Sequence, residues 1–167
     1  MNVWAVRPER NGDEQPIAWA ITAAFAAAAH AGGNEAEIVR RLRDERELEA
    51  SYVAATPAGE IVGHVAFSPV LIDGAECGWY GLGPLAVLPG WQRRGIGAAL
   101  VEAGLERLKA IDAAGCVVLG DPRYYGRFGF EHDPALRFPG PPTDHFQRLL
   151  LSGEPPSGVV QYSPAFG

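Results

Sequence analysis

Lysine is almost missing from this chain: Lys109 stands alone beside thirteen arginines. Twenty acidic residues outweigh these cations, giving a formal net charge of −6 at pH 7. A chain so short of basic faces is not a general binder of nucleic acid or of anionic membrane. Cysteine is scarce as well. Cys77 and Cys116 lie far apart and fit no metal-ligand spacing, so two buried small side chains are expected rather than a disulfide, as suits a reducing compartment. The four histidines are scattered, and no metal site is expected from them. Long apolar runs are missing too. The longest, Ile17 to Ala29, is too short for a bilayer and follows Asp13 and Glu14 rather than a basic segment, so neither a membrane span nor a signal peptide is expected. These absences point to a cytoplasmic protein, and 167 residues suit a single domain, 1–167, around one core.

The patterning predicts mixed α and β structure. Val3 to Arg7 reads as a strand, followed by an alanine-rich helix from Asp13 or Glu14 to about His30 and a second helix from Asn34, an N-cap, to Arg43. Glu35, Glu37, Arg40 and Arg41 suit a solvated face of that second helix. Strands follow at Glu49–Ala55, Ile61–Leu71 and Glu76–Leu88. Asp73-Gly74 marks a hairpin between the last two, and Gly83-Pro84 an irregularity, because proline cannot donate to a ladder. In Ile61–Leu71, Val62, His64, Ala66 and Ser68 are expected on one face, with Ile61, Val65 and Phe67 on or near the other. A helix from Gly95 to about Asp112 has only a thin polar stripe at Glu102, Glu106 and Lys109, so it should be packed deeply on a sheet. The buried strand Cys116–Gly120 after it implies a parallel crossover. Asp121 and Pro122 start a short helix carrying Tyr124, Tyr125 and Phe128, and Phe146–Leu151 and Gly158–Tyr162 close the sheet.

The chemistry concentrates in Pro84 to Leu100, an apolar strand, a turn, Arg93-Arg94, two glycines and a helix start. The first N–H groups of a helix lack partners within it, and the dipole adds positive charge there. Gly95 and Gly97 allow phosphates close to the backbone, and Arg93 and Arg94 bring full charge. No Gly-Lys-Ser/Thr P-loop is present, and Leu100 stands where a dinucleotide fingerprint needs Gly or Ala.

Gln92-x-x-Gly95-x-Gly97 after Leu85-Ala86-Val87-x-Pro89 resembles the acyl-CoA signature of the GNAT superfamily of N-acetyltransferases. Arg7, Ala24-Phe25, Leu42-Arg43, Ile61-Val62-Gly63-His64 and Tyr125-x-x-x-Gly129-Phe130 extend the resemblance over nearly the whole chain. It implies an α/β (α+β) fold: a mixed, mostly antiparallel, six- to seven-stranded sheet flanked by helices, with one parallel strand pair splayed at one end. It further implies acetyl-CoA as cosubstrate. Leu85, Ala86 and Val87 would hold the pantetheine arm, and Gln92, Arg93, Arg94, Gly95, Ile96, Gly97 and Ala98 the pyrophosphate, with Tyr125 and Phe128 beside the cofactor. Homodimerisation is a further expectation from the resemblance alone.

By position, Tyr125 resembles the family tyrosine that protonates the departing thiolate. A tyrosine of pKa ~10 gives its proton to a thiolate of pKa ~8.5 only uphill, by about 2 kcal/mol in water, so it must act by hydrogen bonding or with a lowered pKa. An N–H near Leu85 or Ala86 is the implied donor to the carbonyl oxygen. An amine of pKa ~10.4 costs about 4.6 kcal/mol to neutralise at pH 7, so some group must take its proton. Glu76, His64, Glu131 and His132 are the candidates, with Glu76 placed first and His30 and His145 behind; the sequence does not choose a base. Neither a serine nor a cysteine is seen beside a positioned base, so direct attack by the amine is expected. The acceptor itself is open, with the first two helices and the loop Pro139–Thr143 expected to shape its pocket. A non-catalytic acyl-CoA sensor is the alternative.

Overall fold

The computed structural model describes residues 3–26 and 32–167. Its elements run β1 (Ala5–Pro8), α1 (Glu14–Ala26), α2 (Glu35–Asp44), β2 (Ala50–Ala55), β3 (Ile61–Ile72), β4 (Ala75–Val87), α3 (Ile96–Ala110), β5 (Gly115–Leu119), α4 (Pro122–Tyr125), β6 (Leu136–Arg137), β7 (Phe146–Leu150) and β8 (Gly158–Gln161). The strands form one sheet in the order β1-β2-β3-β4-β5-β7, with β8 pairing the far end of β3 and the two-residue β6. The count is therefore eight rather than six to seven; a strand as short as β6 carries no alternation to read. Among the described residues only β4–β5 and β6–β8 pair in parallel.

Helices cover both faces. Ile17, Ala20 and Ile21 of α1 and Val39 of α2 pack on Val53, Ala66 and Ala86. On the other face Leu100, Val101, Leu105 and Leu108 of α3 pack on Val65 and Phe67. Gly104 makes this approach close: a Cβ there would sit 1.9 Å from the Phe67 ring.

β3 departs from simple alternation. Val62 packs with Val65 and Phe67, and Ile61 with Ala66, so the expected membership of the two faces is wrong at these two positions. The cause is a register shift opposite Ala54 and Ala55, which pair with Gly63 and Ile61 and leave Val62 as the extra residue.

A second irregularity shapes the site. Val65 pairs with Leu85 and Phe67 with Leu82, so Gly83-Pro84 bulges out of β4. Pairing of β4 with β5 ends at Leu82 and Val118, while β4 runs on to Val87. The parallel pair thus opens into a V from Leu82 onward.

Other local expectations fare unevenly. The Asp121 carboxylate accepts from Arg123 N–H at 2.9 Å and caps α4. Asn34 stands at the N-cap of α2 but makes no side-chain cap; instead Glu35 Oε2 accepts from Gly32 N–H at 2.9 Å. Cys116 is buried as expected, but Cys77 is exposed, because the hairpin end of β4 extends beyond the packed layers. His30 and the end of the long alanine-rich helix lie outside the described residues. Among the described residues no helix is long and apolar enough to cross a membrane.

Candidate active site

In an extended strand, successive backbone groups point alternately to its two sides. Leu88 N–H donates to Val62 O, so Ala86, two residues earlier, also turns its backbone toward β3. Leu85 and Val87 then present N–H and C=O to the open side of the V. The Val87 carbonyl accepts from Gln92 Nε2 at 3.2 Å, which fixes the following turn onto the strand edge. Ala86 drops out of the expected pantetheine-contacting set: its backbone belongs to the sheet and its side chain to the α1 core.

The turn ends in two left-handed residues, Arg93 (φ 63°) and the N-cap Gly95 (φ 83°), which aim the start of α3 at the V. Ala99 N–H is the first to bond back, to Gly95 O, so the N–H groups of Ile96, Gly97 and Ala98 have no partner within the helix. These residues line a cavity of about 320 Å³ with Leu85, Val87, Trp91, Gln92, Arg93, Gly95, Tyr124 and Arg127. A Cβ on Gly97 would lie 2.7 Å from Tyr124 Oη, so glycine keeps this wall open.

Besides Ala86, and Tyr125, which lines a second cavity, two of the expected contact residues stand apart from this cavity. Arg94 lies over the Trp91 ring, 4.8 Å from its centroid, and Phe128 packs edge-on against Tyr124 at 5.7 Å. Three lining residues were not anticipated, Trp91 among them. Tyr124 looks in sequence like core, and Arg127, 4.4 Å from the Tyr124 ring centroid, lies outside the glycine motif.

A larger cavity, about 740 Å³, opens on the α1–α2 side of the V. Its walls include Phe25, Glu35, Ile38, Leu82, Pro84, Leu85, Leu119, Tyr125, Phe138, Tyr162 and Phe166. Leu85 borders both cavities, and the consecutive Tyr124 and Tyr125 face one each. Burial, and then the neighbouring Tyr124 and Cys116, push the Tyr125 phenol well above its ordinary pKa. Burial thus works against the lowered-pKa option and favours the protonated phenol, which can donate a hydrogen bond.

Among the described residues, none of the proposed bases lines this cavity. Glu76 is exposed opposite Leu71 at the hairpin end of β4, nine residues from Leu85 or about 30 Å of extended strand. Glu131 faces Arg148 at 3.4 Å, and His132 Nδ1 bonds Phe146 O at 3.2 Å beside a separate cavity formed with Pro139, Gly140 and Pro141. His145 pairs with Asp144.

His64 is fully buried beneath the sheet, with Nε2 2.8 Å from Ser51 Oγ. A serine therefore does sit beside a histidine, contrary to expectation, but the arrangement is not nucleophilic. Ser51 donates its only proton to Glu9 at 2.5 Å, so it must accept from His64 Nε2–H. Burial pushes the His64 pKa down to about 4, against the pull of Glu9. Glu9 is held by the Arg43 fork at 2.8 and 3.1 Å; these bonds and Ser51 overcome burial and lower its pKa.

The carboxylate that does line the larger cavity is Glu35, which sequence reasoning assigned to a solvated face. No signal in the sequence marks it, since the V that it faces is made by strands far along the chain. Among the described residues no group of three or more His, Cys, Asp or Glu side chains could hold a metal ion.

A V-shaped parallel pair with a glycine-rich helix start in its mouth defines the acyl-CoA N-acyltransferase class of fold. Residues 47–132 match the family model of the acetyltransferase (GNAT) domain, and the chain belongs to that family. It is 39% identical over 139 residues to the uncharacterized N-acetyltransferase YhbS of Escherichia coli, covering 79% of this chain and 83% of the relative. The crystal structure of YhbS in complex with CoA superposes with a TM-score of 0.90 at 33% identity, covering 99% of this chain and 93% of that one. A GNAT-family acetyltransferase from Brucella melitensis, solved with acetyl-CoA, gives 0.88 at 44% identity over 98% of each chain.

Proposed function

We propose that this chain is an acetyl-CoA-dependent N-acetyltransferase that brings donor and amine together in a ternary complex. The observation that carries the reading is the meeting of two chemically different cavities at Leu85 and the Tyr124–Tyr125 pair.

The residues on the α3 side fit the donor. Unpartnered N–H groups at Ile96–Ala98, flanked by Arg93 and Arg127, suit a pyrophosphate, and the free edge at Leu85 and Val87 suits an extended amide arm. Acetyl-CoA, when bound, supplies a thioester carbonyl that an amine can attack, forming a C–N bond as the C–S bond breaks. Leu85 N–H is the donor available to the charge developing on the carbonyl oxygen, a role that Ala86, bonded into the sheet, cannot take. Tyr125, kept protonated by burial, donates a hydrogen bond to the departing sulfur. The ammonium proton leaves the acceptor for a carboxylate or water, so an amide, a free thiol and one proton result. Neither thiol suits a covalent intermediate: Cys116 is buried with its pKa pushed up, and Cys77 lies at the far end of β4.

The test is calorimetric titration of acetyl-CoA followed by detection of thiol release with an amine panel. Binding with release supports the transferase. Binding without release from any amine identifies the sensor alternative, and no binding removes both.

A further inference from the structure

We infer that the acceptor is a monoamine with an apolar, ring-sized body, its ammonium paired with Glu35. This rests on the transferase reading above and names the chemistry of the second substrate. Among the described residues lining the larger cavity, Glu35 carries the only charged side chain, and no arginine, lysine or histidine of that set opposes it. One carboxylate oxygen is fixed by Gly32 N–H, and the other, among the described residues, has no partner. The carboxylate is thus oriented while keeping acceptor capacity for a cation.

Five aromatic rings stand among the aliphatic residues of the remaining wall. Phe138 and Tyr162 meet edge to face at 5.0 Å, and Tyr162 and Phe166 lie 5.3 Å apart. Phe25 and Tyr125 contribute two more rings to the same cavity. Rings around a single carboxylate attract an ammonium by ion pairing and by their π faces, and they hold an apolar body by burial. At about 740 Å³ the space is far wider than the slot that a lysine stem needs, and it lies within the range of small-molecule sites. A polyamine or aminoglycoside would bring extra ammonium groups into a largely apolar chamber with one acidic side chain, and each unpaired charge would be desolvated at a loss.

The experiment uses the full chain, acetyl-CoA and four probes: 2-phenylethylamine, its uncharged counterpart 2-phenylethanol, spermidine and a lysine-containing peptide. The expected result is acetylation of 2-phenylethylamine with kcat/KM at least about tenfold above spermidine and the peptide. For Glu35→Gln, loss of a charge-assisted contact should raise KM for 2-phenylethylamine about tenfold, with inhibition by 2-phenylethanol changed less than about twofold and partial recovery in Glu35→Asp. Preference for spermidine or the peptide overturns the assignment. So does an equal loss for amine and alcohol in Glu35→Gln, which would mark a purely structural role. Wild-type protein that binds acetyl-CoA but shows no affinity for 2-phenylethylamine also overturns it while leaving the transferase standing. Failure to bind acetyl-CoA at all sinks the underlying reading instead.

Discussion

The two cavities that meet at Leu85 differ in how their walls are gathered. Nearly all of the α3-side cavity comes from one run, Leu85 to Ala98, joined by Tyr124 and Arg127. The α1–α2-side cavity draws on six stretches between Phe25 and Gly167. The first offers mainly backbone N–H groups and arginine charge; the second offers rings and one carboxylate. A phosphate group can be recognised by main chain alone, so the site proposed for it can be built where the chain turns. An amine with an apolar body needs side chains, and they are brought from wherever the fold places them.

The sharpest way to break this contrast is Gly97→Glu. It puts a carboxylate among the unpartnered N–H groups and a side chain against Tyr124. Acetyl-CoA affinity should fall by more than about a hundredfold, with little change in melting temperature because an acidic residue suits a helix N-terminus. Retained affinity would show that the phosphates are held elsewhere. Next in size, Tyr125→Phe should lower kcat about ten- to a hundredfold and leave acetyl-CoA affinity unchanged in titration. The raised Tyr125 pKa adds a pH signature: no alkaline loss of rate should arise from this group up to about pH 10.

Smaller effects separate the arginines. Arg93→Ala should weaken CoA about tenfold and Arg94→Ala less than about threefold, since Arg93 lines the cavity and Arg94 lies on Trp91. Equal losses would assign both to a general field, and the gap should close as salt is raised. The least effect on either cavity is expected from His64→Gln, which should leave CoA affinity intact. Its readout is stability against pH. Unfolded His64 takes up a proton as pH falls through 6.5, but the buried residue does not until about 4. The unfolded state therefore binds more protons in that window, and stability drops progressively as pH falls. Glu9, whose pKa is lowered by Arg43 and Ser51, adds a loss of the same sign at lower pH. Replacing His64 should make the chemical-denaturation profile between pH 6.5 and 4 shallower.

Much of the fold was legible because helix caps, hairpin turns and alternation are local. Asp73-Gly74 does turn between β3 and β4, and Asp121 does cap α4. Gly83-Pro84 announced an irregularity without saying that the sheet would open there. Val62 and Ile61 exchanged faces because a bulge depends on the partner strand, which the sequence does not display. Glu76 was favoured for lying on the strand that leads to the site, yet such a strand is long enough to carry its two ends far apart.

The chain's own residues determined the turn proposed to bind the anion, since Arg93, Gly95 and the start of α3 need only their neighbours to take their conformations. Tertiary structure alone decided which carboxylate faces the second cavity, which tyrosine faces which side, and which strand edge stays unpaired. These depend on the divergence of β4 from β5 and on packing between distant segments, and no local preference encodes them.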